Sequence, residues 1–378
     1  MPTGRIQCKL RDKKDHYVIT LYKEFRNKKK ITQNNIILFR LNGKEFIRIP
    51  NSDFHITIPK RFIKRKSNQI ELEILKVWNI NKAKKRRPLK LKKGFVNIDH
   101  FIPYKSIFGK DLFCLDKGED IYIWYSVGGG ANYIKLKRNV NLEQLSELIG
   151  FYFGDGNTAS GIRSFRISNC EPSVLIYCLN ILYKMGISKE TLKCQIIFST
   201  PKNILKNKII NRCTNYWSRR LNLKKGQIVS VNRSNGKTES LKYGSARIFL
   251  DNCSFVETLV NGVLPNFLNT IKNPKRKEDQ IILNGFLRGL AAAEGSVSLT
   301  KKYSLSRISL SFDPHSDEIN LYRKILSNIG VDPGGKKGNE LFIYGINNFK
   351  LFNNINLFKM HNTRKEKFNK GYKNHKFS

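Results

Sequence analysis

The spacing of apolar residues changes part-way along this chain. Up to about residue 140 the apolar positions alternate or fall in short runs. "NIILFRLNGKEFIRIP" places Asn42-Gly43 between two apolar segments, the pattern of a tight hairpin, and "QIELEIL" alternates apolar with acidic residues as a half-buried strand does. Beyond that point, helix-spaced segments such as "LIGFYFGDG" and "LYKMGIS" are separated by strand-like runs such as "FRISN" and "LKCQIIFS". The pattern predicts an α+β chain with a β-rich N-terminal region over 1–140.

The second region repeats itself. "LIGFYFGDG" ends in Asp155, and "LRGLAAAEG" ends in Glu294, 139 residues later. "FRISN" is matched by "SRISLSF" at an offset of 141, and the helices closing at Gly186 and Gly330 match at an offset of 144. "LKCQIIFS" (192–199) pairs with "ELFIYG" (340–345). Such self-similarity marks two copies of one structural unit. Each copy reads helix, strands, helix, strands, helix. The halves are expected over 141–275 and 276–360, followed by a basic polar tail over 361–378 that frays. An insertion over about 200–245 carries a helix through "NYWSRRLNL" and strands at "QIVSVNR" and "SARIFLD".

The repeated nonapeptides have a chemical logic. Gly150 and Gly154 lie four apart on one helix face, as do Gly289 and Ala293, so two helix backbones can approach closely. The acids that follow, Asp155 and Glu294, are then delivered to the same end of the helix pair. Two carboxylates brought together repel, and a divalent cation relieves the repulsion; hard oxygen donors suit Mg²⁺ (or Mn²⁺), which can serve phosphodiester hydrolysis.

Charge sharpens the picture. Lys and Arg number 70 against 29 acids, a formal net charge of +41, which points to nucleic acid as the partner. The run "NKAKKRRPLKLKK" (81–93) holds eight basic residues and no acid, as expected of a phosphate-contacting loop. "SVGGGAN" (126–132) has no GK[ST] after its glycines and is not a phosphate loop. Seven cysteines are scattered without a CxxC pair, so disulfides and structural zinc are not expected. No run of 18 apolar residues and no hydrophobic leader occur, so no membrane span is expected and the protein is placed inside the cell, in cytoplasm, nucleoid or organelle matrix, not secreted.

The two nonapeptides, in this context on a strongly basic chain, resemble the LAGLIDADG motif of homing endonucleases of the single-chain, two-motif type, over about residues 143–360. The resemblance implies two pseudo-symmetric αββαββα halves whose sheets form a DNA-binding saddle, with the motif helices packed centrally. It implies Asp155 and Glu294 as catalytic metal ligands, assisted by the carbonyls of Gly154 and Ala293. It further implies an intron-encoded or free-standing, monomeric hydrolase that makes site-specific double-strand cuts in DNA with magnesium. Where many members carry a lysine or glutamine after the strand following each motif, this chain has Asn169, Asp313 and His315.

Strand alternation supplies candidate DNA contacts. Ser164, Arg166 and Ser168 are expected to face outward on one sheet and Arg307, Ser309 and Ser311 on the other, with Lys193, Gln195 and Arg247 beside them. A second reading stays open: an RNA maturase, with intron RNA as partner, or a catalytically decayed nucleic-acid-binding protein on the same fold. A helix-turn-helix regulator is not indicated, because residues 1–140 read as β-rich. "HNT" (361–363) resembles an intein splice junction, but no Cys- or Ser-led splicing block opens the chain.

Overall fold

The computed structural model describes residues 4–63, 69–125, 133–156, 164–200, 206–235 and 242–376; "SVGGGAN" lies outside them. The chain divides into two compact units, Met1–Leu89 with Ile102–Arg138, and Lys90–Phe101 with Asn139–Ser378. Among the described residues no helix is long and apolar enough to cross a membrane.

The first unit is built on hairpins, as its alternation predicts. Asn42 and Gly43 take positive φ (48° and 75°) and turn strand Asn35–Leu41 back into Lys44–Arg48, with Leu41 opposite Lys44. These strands belong to a six-stranded sheet in the order Lys44–Arg48, Asn35–Leu41, Gln69–Asn79, Gly4–Asp12, His16–Thr20, His55–Pro59. A three-stranded meander, Leu112–Lys117, Asp120–Tyr125 and Tyr133–Lys137, contributes Phe113, Leu115, Tyr122 and Trp124 to a core shared with Ile36, Leu38 and Ile47. The basic run over 81–93 is partly committed to this unit's own structure. Arg86 donates to the carbonyls of Ile102, Pro103 and Leu112, Lys84 pairs with Asp111, and Arg87 pairs with Asp116. That differs from a loop wholly free for phosphate; Lys82, Lys85, Lys90, Lys92 and Lys93 remain exposed.

The second unit holds both motif helices. Helix α1 (Leu142–Asp155) starts where the Asn141 side chain accepts the Gln144 N–H at 2.9 Å, and it stops because Gly156 is extended. It is followed by β1 (Phe165–Asn169), α2 (Pro172–Lys184), β2 (Lys193–Thr200), α3 (Lys206–Arg220), β3 (Ile228–Asn235) and β4 (Ser245–Leu250). Cys253–Thr258 then runs through a π-turn at Leu259–Val263 into α4 (Leu264–Lys272). The second motif helix, α5 (Lys277–Glu294), is anchored at its start by Asp279, which accepts the backbone N–H groups of Lys275 and Arg276. It passes at Gly295 straight into β5 (Gly295–Leu299), followed by β6 (Leu305–Ser311), α6 (Glu318–Asn328), β7 (Lys336–Lys337), β8 (Glu340–Ile343), α7 (Ile346–Asn354) and α8 (Asn362–Lys376).

Each motif helix thus leads into a four-stranded sheet, ordered β1-β4-β2-β3 and β5-β6-β8-β7, in an α+β arrangement. The sheet orders revise one correspondence. β4, not the segment 192–199 in β2, sits beside β1 as β8 sits beside β6, so the insertion of α3 and β3 falls between the two matched strands β2 and β4. β3 adds to β2 in parallel as an extra edge strand. The described residues beyond 361 also differ from a fraying tail. They form α8, whose Phe368 and Tyr372 are buried and whose Gly371 faces the side chains of Leu299 and Leu305.

Candidate functional site

The small residues let α1 and α5 touch backbone to backbone. A methyl on Gly150 would lie 2.0 Å from the Phe286 carbonyl oxygen, and one on Gly289 would lie 2.1 Å from that of Glu147. Near the end of the pair, a methyl on Gly154 would meet the Ala293 Cβ at 2.6 Å and the Glu294 Cγ at 3.1 Å. The stripe is longer than its motif, because Gly285 faces Ser146 in the same way.

Sequence reasoning missed a polar cluster inside this interface. Glu147 is fully buried in α1 and accepts from Arg288 Nε (2.7 Å), Lys359 Nζ (3.0 Å) and Tyr177 Oη (2.6 Å). Arg288, on α5, also donates to the Ile355 carbonyl at 3.0 Å and to Glu143. A charge within each glycine-bearing apolar stretch, Glu147 three residues before Gly150 and Arg288 directly before Gly289, was the available signal, since buried charges are seldom left unpaired.

The motif acids lie close enough for the Asp155 charge to act on Glu294. Burial lifts the Asp155 carboxyl to about 6, against the hydrogen bond from Asn169 Nδ2 (2.9 Å) and the positive charge of Arg364, which lower it. Burial, then the charges of Asp155 and Glu318, lift Glu294 to about 7, again opposed by Arg364. Asn169 therefore does reach the first acid, whereas Asp313 and His315 are exposed in a turn of their own, with the His315 N–H on Asp313 Oδ1.

Arg364 is the unforeseen member of the site. From the first turn of α8 its Nη1 donates to the carbonyls of Ala291 and Ala292 at 2.8 Å, and both terminal nitrogens approach the Ala293 carbonyl at 3.4 Å. The Ala293 carbonyl, expected to assist a metal, is thus directed at a guanidinium. Among the described residues no three His, Cys, Asp or Glu side chains gather to hold a metal ion.

α8 is fixed at its start by side chains. His361 Nδ1 accepts the Arg364 N–H (3.3 Å), the Asn362 N–H donates to Ser173 Oγ (3.1 Å), and Thr363 Oγ1 donates to Glu171 (2.9 Å). The "HNT" segment is therefore a helix start. Burial, helped by the Arg364 charge, pulls His361 down to about 4, so its Nδ1 stays unprotonated and free to accept. A base with a depressed folded pKa is charged in the unfolded chain first. Its stabilising contribution is therefore complete above about 6.5 and is lost as pH falls toward 4. The loss is roughly 3 kcal/mol. In urea unfolding, wild type relative to His361→Asn should weaken by that amount between pH 7 and pH 4. A pH-independent difference would refute this.

The first sheet presents a polar outer face. Pairing register sets Ser168, Arg247, Gln195 and Ser230 in one row across all four strands. The next row holds Arg166, Phe249 and Lys193. Asp155, Gly156, Arg166, Ser168 and Arg247 line a cleft of about 290 Å³. Lys193 is exposed but paired with Asp251 at 2.9 Å. Ser164 departs from expectation: it is buried, bonded to Arg166 Nε (3.3 Å) and to Asp251, because those longer side chains close over its small hydroxyl.

The second sheet is less open. Ser309 is buried, its hydroxyl 2.7 Å from that of Ser296 on the adjacent strand, so it is not an exposed contact. Arg307 lies over the Phe342 ring, 4.4 Å from its centroid. Ser311 is half-buried opposite Glu340. A larger cavity, about 680 Å³, adjoins the motif-acid end through Gly154 and Gly156 and is lined also by Phe153, Lys272, Glu318 and Lys324.

No protein-family model and no curated protein matches the chain. Among solved structures it is similar to full-length DUF199/WhiA from Thermatoga maritima, at 16% identity and a TM-score of 0.35, over 60% of this chain and 58% of that one. It is also similar to the N-terminal LAGLIDADG domain of DUF199/WhiA, at 14% identity and a TM-score of 0.32, over 59% of this chain and 85% of that one. The chain thus spans little more than half the length of the full-length protein.

Proposed function

We propose that this chain is a DNA-binding protein on a LAGLIDADG-like scaffold, gripping duplex DNA with the outer face of its first motif sheet. The observation that carries this reading is the row Ser168–Arg247–Gln195–Ser230 beside Arg166, Phe249 and Lys193. It combines hydrogen-bonding groups for base edges with guanidinium groups for phosphates on one surface. The net charge of +41 supplies the long-range attraction.

Fluorescence anisotropy on duplex DNA tests it. Arg166→Ala/Arg247→Ala should weaken binding and reduce the slope of log K against log salt by about 2 if both arginines meet phosphate. Unchanged affinity and slope would remove this face from the interface. Tighter binding to structured RNA than to duplex DNA would favour the maturase reading instead.

A second reading is a double-strand DNA endonuclease dependent on Mg²⁺ or Mn²⁺. The meeting of Asp155 and Glu294 favours it; the position of Arg364 opposes it, because that side chain would have to withdraw to admit a metal. Site-specific cuts in long duplexes with Mg²⁺, lost in both Asp155→Asn and Glu294→Gln, would establish this reading. Binding without cleavage would dismiss it.

A further inference from the structure

We propose that Arg364 is the resident cation of the motif-acid centre, and that Asp155 and Glu294 are retained in this chain to receive the C-terminal helix rather than a metal.

The end of α5 presents carbonyls that have no partner further along the helix. The Ala291 oxygen already accepts the Gly295 N–H, while Arg364 reaches the oxygens of Ala291, Ala292 and Ala293 with a single guanidinium. A cation is favoured there by the negative end of the helix dipole. The same position at the start of α8 is unfavourable for a cation by that helix's own dipole, so the placement is explained by what Arg364 faces. The three carbonyls it reaches lead directly into Glu294, which packs beside Gly154 and so beside the Asp155 turn, and the Arg364 charge acts on both carboxylates. A guanidinium offers five fixed N–H donors, enough for several carbonyls with capacity left for an acid.

The rest of α8 holds the arginine in place from both halves. Asn362 and Thr363 bond to Ser173 and Glu171 at the start of α2, in the first half. Gly371 packs on Leu299 and Leu305, Asn374 Nδ2 donates to the Tyr303 carbonyl at 3.2 Å, and Lys370 lies over the Tyr303 ring, all in the second half. α8 is thus a clasp across the two halves, and Arg364 is its pin.

The inference is independent of DNA binding and is tested without DNA, on the full chain, with Mn²⁺ as probe. Thermal unfolding and calorimetric titration are run on wild type, Arg364→Met, and Arg364→Met/Asp155→Asn, with hydrogen exchange over 362–376. Wild type should show no Asp155-dependent Mn²⁺ binding and strong amide protection in α8. Arg364→Met should lose that protection and bind Mn²⁺ at least about tenfold more tightly than wild type. Adding Asp155→Asn should abolish the gain. If Arg364→Met does not fold, wild type against Asp155→Asn decides alone. Stoichiometric Mn²⁺ binding by wild type that Asp155→Asn removes, with α8 still protected, would overturn the proposal; its absence supports it.

Discussion

Gly289→Leu should lower stability by about 3 kcal/mol or more and the melting temperature of the motif-helix unit by about 10 °C. Even the first added carbon would lie 2.1 Å from the Glu147 oxygen, 2.4 Å from the Phe151 nitrogen and 2.9 Å from the Gly150 carbonyl carbon. All three are backbone atoms of the facing helix, so no rotamer change makes room and the helices must separate. Separation would also pull Arg288 from Glu147 and the acid ends from each other. The control is Gly226→Leu: a methyl there meets nothing within 4 Å, so its melting point should stay close to that of wild type. Differential scanning fluorimetry of the two variants suffices. Equal melting points would mean that the close approach of α1 and α5 does not hold the unit together.

Arg288→Met should cost about 3 kcal/mol, because it leaves Glu147 short of a partner at a site with no solvent access. Lys359 Nζ at 3.0 Å and Tyr177 Oη at 2.6 Å remain and keep the cost from rising higher. The interaction, rather than the size of the side chain, is isolated by adding Glu147→Leu. The double variant should be more stable than the sum of the two single losses by at least about 1.5 kcal/mol. Additive losses in chemical denaturation would show that Arg288 acts only through packing.

The helix pair was legible in the sequence because it rests on local rules. Glycine and alanine four apart fix a face, and an acid one residue past the stripe is carried to its end. The hairpin at Asn42-Gly43 was legible for the same reason: positive φ at two consecutive positions narrows the choice of residues. What escaped depends on long-range placement. Arg364 lies 209 residues beyond Asp155 (364 − 155) in a stretch whose composition suggests solvent, and nothing nearby shows that Phe368 and Tyr372 will be buried. Strand matching failed at 192–199 because two strands of one half can both resemble a single short strand of the other. Ser164 and Ser309 alternate correctly with their neighbours, yet they are buried. Alternation sets the face a side chain leaves from, while the neighbours' length decides whether water reaches it.

The strand inserted after α3 makes the two halves unequal. β3 adds eight residues in parallel to the edge of the first sheet, where the second ends on a two-residue strand. For a protein that grips a duplex with the first sheet as proposed, the extra strand lengthens the contact on that side only. Its nuclease-protection footprint should therefore extend further to one side of its centre than to the other, and its preferred site should lack inverted-repeat symmetry.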